Sequence, residues 1–318
     1  GNNHEGNYSL AEEMIGKAAE CGVHAVKFQT IVPEKFICSK DTKRIEQLKK
    51  YQLTYDEFRK LANYAKNAGL IFISTPFDLE TVDFLDEIVP AYKIASCDNT
   101  FLPLIRKIAS KNKPVIISTG LSDMTELKPG LDIFRDAWGE ELFLERLAIL
   151  HCVSNYPVSP ENANLLSIKY MKDIFKCTIG YSDHTLGIDA CMFAVAMGAG
   201  LIEKHFTIDK NYSAFRDHQL SANPSEMKAL VEKIKLFELM QGSYDLKMQD
   251  SEKEIKPLIK RSLAANKDLL QGHKISINDI MWVRPGTGIP PGNEDQVIEK
   301  TVKNEIKYGE LILLEDLN

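Results

Sequence analysis

The chain has 318 residues, 44% of them hydrophobic and 26% charged, a balance that suits a folded globular protein and excludes a disordered or fibrous one. A formal net charge of −6 argues against general nucleic-acid binding, so any anionic ligand has to be met by a local basic pocket. No apolar run approaches the roughly 20 residues of a membrane span, nothing at the start resembles a signal peptide, and six cysteines without a Cys-x-x-Cys imply reduced thiols in a cytoplasmic protein.

The chain opens on Gly1-Asn2-Asn3-His4-Glu5-Gly6-Asn7, a polar segment directly before a helix. Such a segment follows a first strand, so a strand upstream of this numbering is expected. A helix over 10–21 then leads to a strand over 24–30, and a long polar connection follows. Helix 55–67, capped by Thr54 and ended by Gly69, leads to strand 70–76. The alternation continues with helix 79–87 and strand 91–96, then helix 102–110 and strand 114–120. Helix 123–138, disturbed in its middle by Pro129-Gly130, precedes strand 147–153; helix 165–175 precedes strand 179–185; helix 189–197 precedes strand 201–207. Near-continuous apolar strands separated by helices specify a parallel sheet covered on its outer face. The repeat favours an α/β (β/α)8 TIM barrel whose first strand is missing from this numbering. A doubly wound sheet would carry Gly-x-Gly-x-x-Gly after its first strand, and that signature is absent. After a last barrel helix at 224–241 the chain turns polar. The division is therefore a catalytic barrel at 1–242, a linker at 243–260 and a small turn-rich module at 261–318, which buries little core and is expected to lean on a partner surface.

Polar residues gather at the strand ends. His184 and His205 each stand where a strand gives way to its loop, and neighbouring parallel strands bring these ends to one edge. Two imidazoles there suit zinc, manganese, iron or cobalt and leave positions open for water or substrate. One such His would more often be a hydrogen-bonded core residue; two at matching places reverse that preference. Lys27 and Lys93 are flanked by apolar residues within strands, and an unpaired buried charge costs several kcal/mol, so they are either paired inside the barrel or functional. Ser74-Thr75-Pro76 and Ser118-Thr119-Gly120 add hydroxyls and loop amides suited to phosphate oxygens, which makes an anion pocket at the barrel mouth.

Nine motifs in order carry a resemblance over essentially the whole chain: Asn3-His4-Glu5-Gly6, Val26-Lys27-Phe28-Gln29-Thr30, Ser74-Thr75-Pro76-Phe77, Tyr92-Lys93-Ile94, Ser118-Thr119-Gly120, His151-Cys152, Asn155-Tyr156-Pro157, Gly180-Tyr181-Ser182-Asp183-His184-Thr185 and Glu203-Lys204-His205-Phe206-Thr207. They resemble the sialic acid synthase family, which makes nonulosonic acids. The resemblance implies condensation of phosphoenolpyruvate with an open-chain N-acylated hexosamine, with release of phosphate by C–O cleavage. It also implies residue roles. Lys27, Thr75, Lys93, Ser96, Ser118, Asn155 and Ser182 would hold phosphoenolpyruvate; His184 and His205 would hold a divalent metal, Mn2+ or Mg2+; Glu5 would transfer protons. Gln29, Asp98, Tyr156 and Asp217 would meet the sugar. The small module is similar to the antifreeze-like (SAF) domain of the family, and its Arg284 would reach the active site of the other subunit of a homodimer.

Two departures bear on the acceptor. Ser96-Cys97-Asp98 stands where the family carries Ser-Gly-Glu, and Phe215-Arg216-Asp217-His218 where many members carry Gly-Pro-Asp-His. The acceptor is therefore open between N-acetylmannosamine and a diacetamido-trideoxyhexose of the legionaminic acid type. Arg216 reads equally as a solvated charge or a substrate contact. A metal-dependent hydrolase on the same barrel is the alternative function, although its usual His-x-His on the first strand is not found.

Overall fold

The computed structural model describes residues 1–215 and 217–318; Arg216, and with it the question of its contact, lies outside the described residues. Seven strands form one parallel sheet in chain order: β1 Ala25–Thr30, β2 Ile71–Pro76, β3 Tyr92–Ile94, β4 Val115–Ser118, β5 Leu147–Cys152, β6 Thr178–Asp183 and β7 Ile202–Lys204. The apolar composition explains the arrangement, since β5 is buried along all six of its residues, as a strand covered on both sides must be. Helices between the strands pack their apolar faces outside the sheet around one large core. Among the described residues the outer strands β1 and β7 do not pair with each other, so the sheet has seven strands in the curled arrangement of a TIM-type barrel. Both β6 and β7 end one residue before a histidine, at Asp183 and Lys204.

Two local readings are corrected. The connection at 31–53 contains the helices Pro33–Phe36 and Thr42–Lys49; the second starts on Asp41, whose carboxylate accepts the Arg44 amide. It reads as a loop in the sequence because Leu48 is its one buried side chain. Pro129-Gly130 does not interrupt its helix, Met124–Arg146, whose non-helical residue is Gly139 at φ 74°. Gly130 serves close packing: a Cβ there would come within 2.8 Å of Ile105 Cδ1. Among the described residues, no helix is long and apolar enough to cross a membrane.

The chain divides into two compact units, 1–242 and 243–318. The second has its own buried cluster, including Leu263, Leu269, Ile275, Ile280, Val297 and Ile312, around the antiparallel pair β8 Ser262–Ala265 and β9 Ile280–Val283. Arg284 is exposed just after β9. Asp279 organises the turn before β9. Its buried carboxylate accepts from Lys267 Nζ at 2.6 Å, His273 Nε2 at 2.9 Å and the Ser276 amide at 2.8 Å. Burial alone would raise its pKa, but these donors outweigh it and hold the carboxyl well below the usual carboxylate range. A depressed folded pKa contributes stability that is fully present above the unfolded value near 4 and is lost as the pH falls below it. Asp279→Asn should therefore destabilise this unit by about 1–3 kcal/mol at neutral pH. Denaturant titrations at descending pH should show the gap to the unaltered protein narrowing below about pH 4.

Candidate active site

A cavity of about 1050 Å3 lies at the C-terminal ends of the strands. Its floor is set by one carboxylate. Glu203 Oε1 lies 3.1 Å from Lys27 Nζ and accepts the Ser182 hydroxyl at 2.9 Å, while Oε2 lies 3.4 Å from Lys93 Nζ. Lys93 also donates to the Ser118 hydroxyl. Burial pushes the Lys93 ammonium down from its ordinary value. Burial would push Glu203 up, but the two ammonium groups outweigh it and the carboxyl stays well below its usual range. Two lysines on one carboxylate leave a surplus positive charge, which fits an anion. The β4 loop completes the pocket: the Asn99 amide donates to the carbonyls of Ser118 and Gly120 at 3.2 and 3.1 Å. Gly120 is required there because a Cβ would stand 2.4 Å from Ser154 Oγ and 2.7 Å from Ser96 Oγ.

The two histidines face each other beside this pocket, with ring centroids 5.2 Å apart, and the Tyr156 ring lies 4.1 Å from His184. His184 Nδ1 is 2.9 Å from the Val153 carbonyl; that partner keeps a proton on Nδ1 and leaves the Nε2 lone pair available. His205 is held neutral by burial, assisted by the positive charges near it. Its Nδ1 is buried without a hydrogen bond, 3.7 Å from Asp217 Oδ2. Two imidazoles so placed fit a divalent ion with open positions. Among the described residues no group of three or more His, Cys, Asp or Glu could hold one unaided, so water or substrate would have to complete the sphere. On the other face of the strands, Lys204 Nζ lies 2.6 Å from Asp183 Oδ2 and donates to the Thr185 carbonyl at 2.5 Å. This buried pair ties β6 to β7 one residue before each histidine.

Glu5 enters from the loop before the first helix with a left-handed backbone, φ 46°. The next residue must be glycine, since at φ 75° a Cβ would meet the Lys50 carbonyl oxygen at 2.1 Å. Glu5 accepts the Ser213 hydroxyl and lies 2.9 Å from His218 Nε2.

The cavity is lined by Glu5, Lys27, Gln29, Lys93, Ser96, Ser118, Asn155, Tyr156, Ser182, His184, His205 and Asp217. Three expected residues are not on its wall. Thr75 is in register with Gln29 but fully buried, its hydroxyl unpartnered. Asp98 ends the short turn Ser96–Asp98, where burial pushes its carboxyl up to about 6, and Arg284 belongs to the second unit. Glu203, Ser154, Ser213 and His218 were not among the expected site residues. Glu203 carried a signal as a carboxylate at the end of an apolar strand, and His218 as the histidine of the Asp217-His218 pair that the sequence keeps.

Removing the shared counter-charge should be costly. Glu203→Gln leaves Lys27 and Lys93 facing each other, and loss of about 3–5 kcal/mol is expected. Equilibrium unfolding should show this as a lowered denaturant midpoint, with part of the loss recovered when Lys93→Met is added.

A family model described as the NeuB family matches residues 14–245, and one described as the SAF domain matches residues 260–318. An uncharacterized protein of Methanocaldococcus jannaschii is 41% identical over all of this chain and 92% of its own length. The N,N'-diacetyllegionaminic acid synthase of Legionella pneumophila is 37% identical over all of this chain and 92% of its own, and that of Campylobacter jejuni 35% identical over 98% and 96%. Among solved structures, the N-acetylneuraminic acid synthetase of Leptospira borgpetersenii, crystallised with citrate, is 34% identical with a TM-score of 0.75 over 80% of this chain and 87% of its own. A parallel barrel-type sheet, a pocket of lysines and hydroxyls beside two imidazoles, and these matches agree: the chain belongs to the NeuB family of sialic and nonulosonic acid synthases and ends in a SAF domain.

Proposed function

We propose that this enzyme condenses phosphoenolpyruvate with an open-chain diacetamido-trideoxyhexose to form a nonulosonic acid of the legionaminic type, releasing phosphate. The observation that carries the reading is the single cavity in which Glu203 holds Lys27 and Lys93 beside His184 and His205. In this reading Lys27, Lys93, Ser96, Ser118, Asn155 and Ser182 bind the phosphate and carboxylate of phosphoenolpyruvate, with Thr75 supporting the strand behind them. Gln29, Tyr156 and Asp217 orient the sugar, and Asp98 acts from the turn next to the wall. Glu5 moves protons between water, sugar oxygen and protein. Mn2+ or Mg2+ at His184 and His205 supplies Lewis-acid polarisation of the sugar aldehyde when bound. Two observations support the deoxy acceptor. The relatives named above for diacetyllegionaminic acid match all and 98% of the chain. The cavity lining includes Phe36, Leu48 and Phe77 and the paired rings of Tyr51 and Phe215, which are 5.2 Å apart. Such a wall suits a methyl at carbon 6 better than a hydroxyl.

A phosphate-release assay over a panel of acylated hexosamines tests the reading. Release should require both phosphoenolpyruvate and a hexosamine, be fastest with the diacetamido-trideoxyhexose, and stop on chelation. His184→Ala and His205→Ala should each lose more than the roughly 10–100-fold typical of residues behind a metal ligand. Release from phosphoenolpyruvate alone would favour the hydrolase alternative, and full activity in chelator would remove the metal.

The SAF domain has a part in the same proposal. Each active site of a two-fold homodimer receives Arg284 from the other chain. Mixing inactive Arg284→Ala with inactive Glu5→Ala should restore activity, because one site of the mixed dimer keeps both residues. Mixed dimers that form and stay inactive would refute the exchange.

A further inference from the structure

The hydrogens around Glu5 can be counted. Its Oε1 accepts from Ser213, whose own oxygen accepts the Phe215 amide at 3.0 Å, and it lies 2.9 Å from His218 Nε2. On the other side of that ring, Nδ1 lies 2.6 Å from Thr207 Oγ1, and the Thr207 hydroxyl reaches the Asp209 carbonyl at 2.9 Å. A hydroxyl has one hydrogen, and a carbonyl can only accept. We take that hydrogen to lie on the Asp209 carbonyl, so that His218 Nδ1 donates to Thr207. A neutral ring would then aim the Nε2 lone pair at a carboxylate oxygen 2.9 Å away, which is repulsive. The contact becomes a hydrogen bond only when one more proton lies between Nε2 and Oε1. His218 and Thr207 are each 1% exposed and the ring is flanked by Tyr212 and Phe215, so that proton communicates with the cavity through Glu5.

We propose that Glu5 and His218 share one proton and work as a single acid–base unit, an inference that rests on the role given to Glu5 above. As the enol carbon of phosphoenolpyruvate bonds to the aldehyde carbon, the carbonyl electron pair moves to the aldehyde oxygen. That oxygen takes the shared proton through the Glu5 carboxyl group, leaving neutral His218 beside a carboxylate. The oxygen of water then bonds to the cationic carbon that bears the phosphate, and one water proton passes to Glu5 and restores the pair. The tetrahedral carbon then collapses: its hydroxyl oxygen becomes the carbonyl, the C–O bond to phosphate breaks, and the hydroxyl proton leaves with the phosphate, so the unit gives one proton and regains one in each cycle. His218 touches neither substrate; it is a positioning residue that stores the proton.

Histidine-15N NMR of the whole unaltered protein reads the pair directly. Both nitrogens of His218 should be protonated at neutral pH, and an unprotonated Nδ1, with Thr207 donating to it, would overturn the proposal. Kinetics with phosphoenolpyruvate and the diacetamido-trideoxyhexose provide the second measurement. His218→Gln keeps an N–H for Glu5 but cannot gain or lose a proton. It should lower kcat by about 10²–10⁴-fold with KM for phosphoenolpyruvate unchanged. Full activity in His218→Gln combined with loss in Glu5→Gln would reduce His218 to a hydrogen-bond donor and end the proposal while sparing Glu5. Full activity in Glu5→Gln would instead end the role of Glu5 itself. Should His218→Gln fail to fold by circular dichroism, the NMR measurement alone decides.

Discussion

The structure depends on Glu203 holding two lysines at once. Lys27 lies on β1 and Glu203 on β7, the two outer strands of the sheet, which do not pair with each other among the described residues. Their ion pair, with Lys93 of β3 on the second oxygen, therefore spans the sheet through its interior. An isolated ammonium at the depth of Lys93, which is 1% exposed, would be untenable, and the carboxylate makes it tolerable without cancelling both charges. The remaining positive charge is what the proposed anionic substrate would find. Structure and proposed binding site thus rest on the same three groups.

Strand alternation turns adjacent residues to opposite tasks. Ser182 and Glu203 are in register and face the cavity, while Asp183 and Lys204, also in register, form the buried pair behind it. Asp183 also accepts from the Tyr181 hydroxyl and the Thr185 amide, at 3.1 and 2.8 Å. The backbone that presents His184 is therefore anchored on both sides of the residue. The His205 strand is joined to it through Lys204, so the separation of the two imidazoles is set by a rigid outer-face contact. Pre-organisation of this kind would suit the ligands of the open metal site proposed above.

Glu5 shows a different economy. It sits on a loop with a left-handed backbone, a conformation that non-glycine residues rarely adopt, and it is held by Ser213 and His218 from a segment more than two hundred residues away. The loop before helix Tyr8–Glu20 and the segment after β7 are thereby brought together at the point where the proposed chemistry needs a carboxylate.

The class of fold was legible along the chain because short apolar strands and amphipathic helices alternate with a constant rhythm, and periodicity is local information. Part of the cavity lining was legible as well, since Lys27, Lys93, His184 and His205 are polar residues placed where strands end or where apolar neighbours make a charge conspicuous. Other features depend on contacts between distant segments and left no local trace. Thr75 follows the strand pattern yet points into packed protein, and Asp98 sits on a turn beside the wall. The contact of His218 with Glu5 joins segments more than two hundred residues apart, and Gly130 reads as a helix breaker although it exists for the approach of Ile105. The sequence by itself determined the order of the elements and the chemical types at their ends, because both follow from residue spacing. Only the tertiary structure decided which of those groups meet, because a hydrogen bond or ion pair depends on distances that close when the sheet curls.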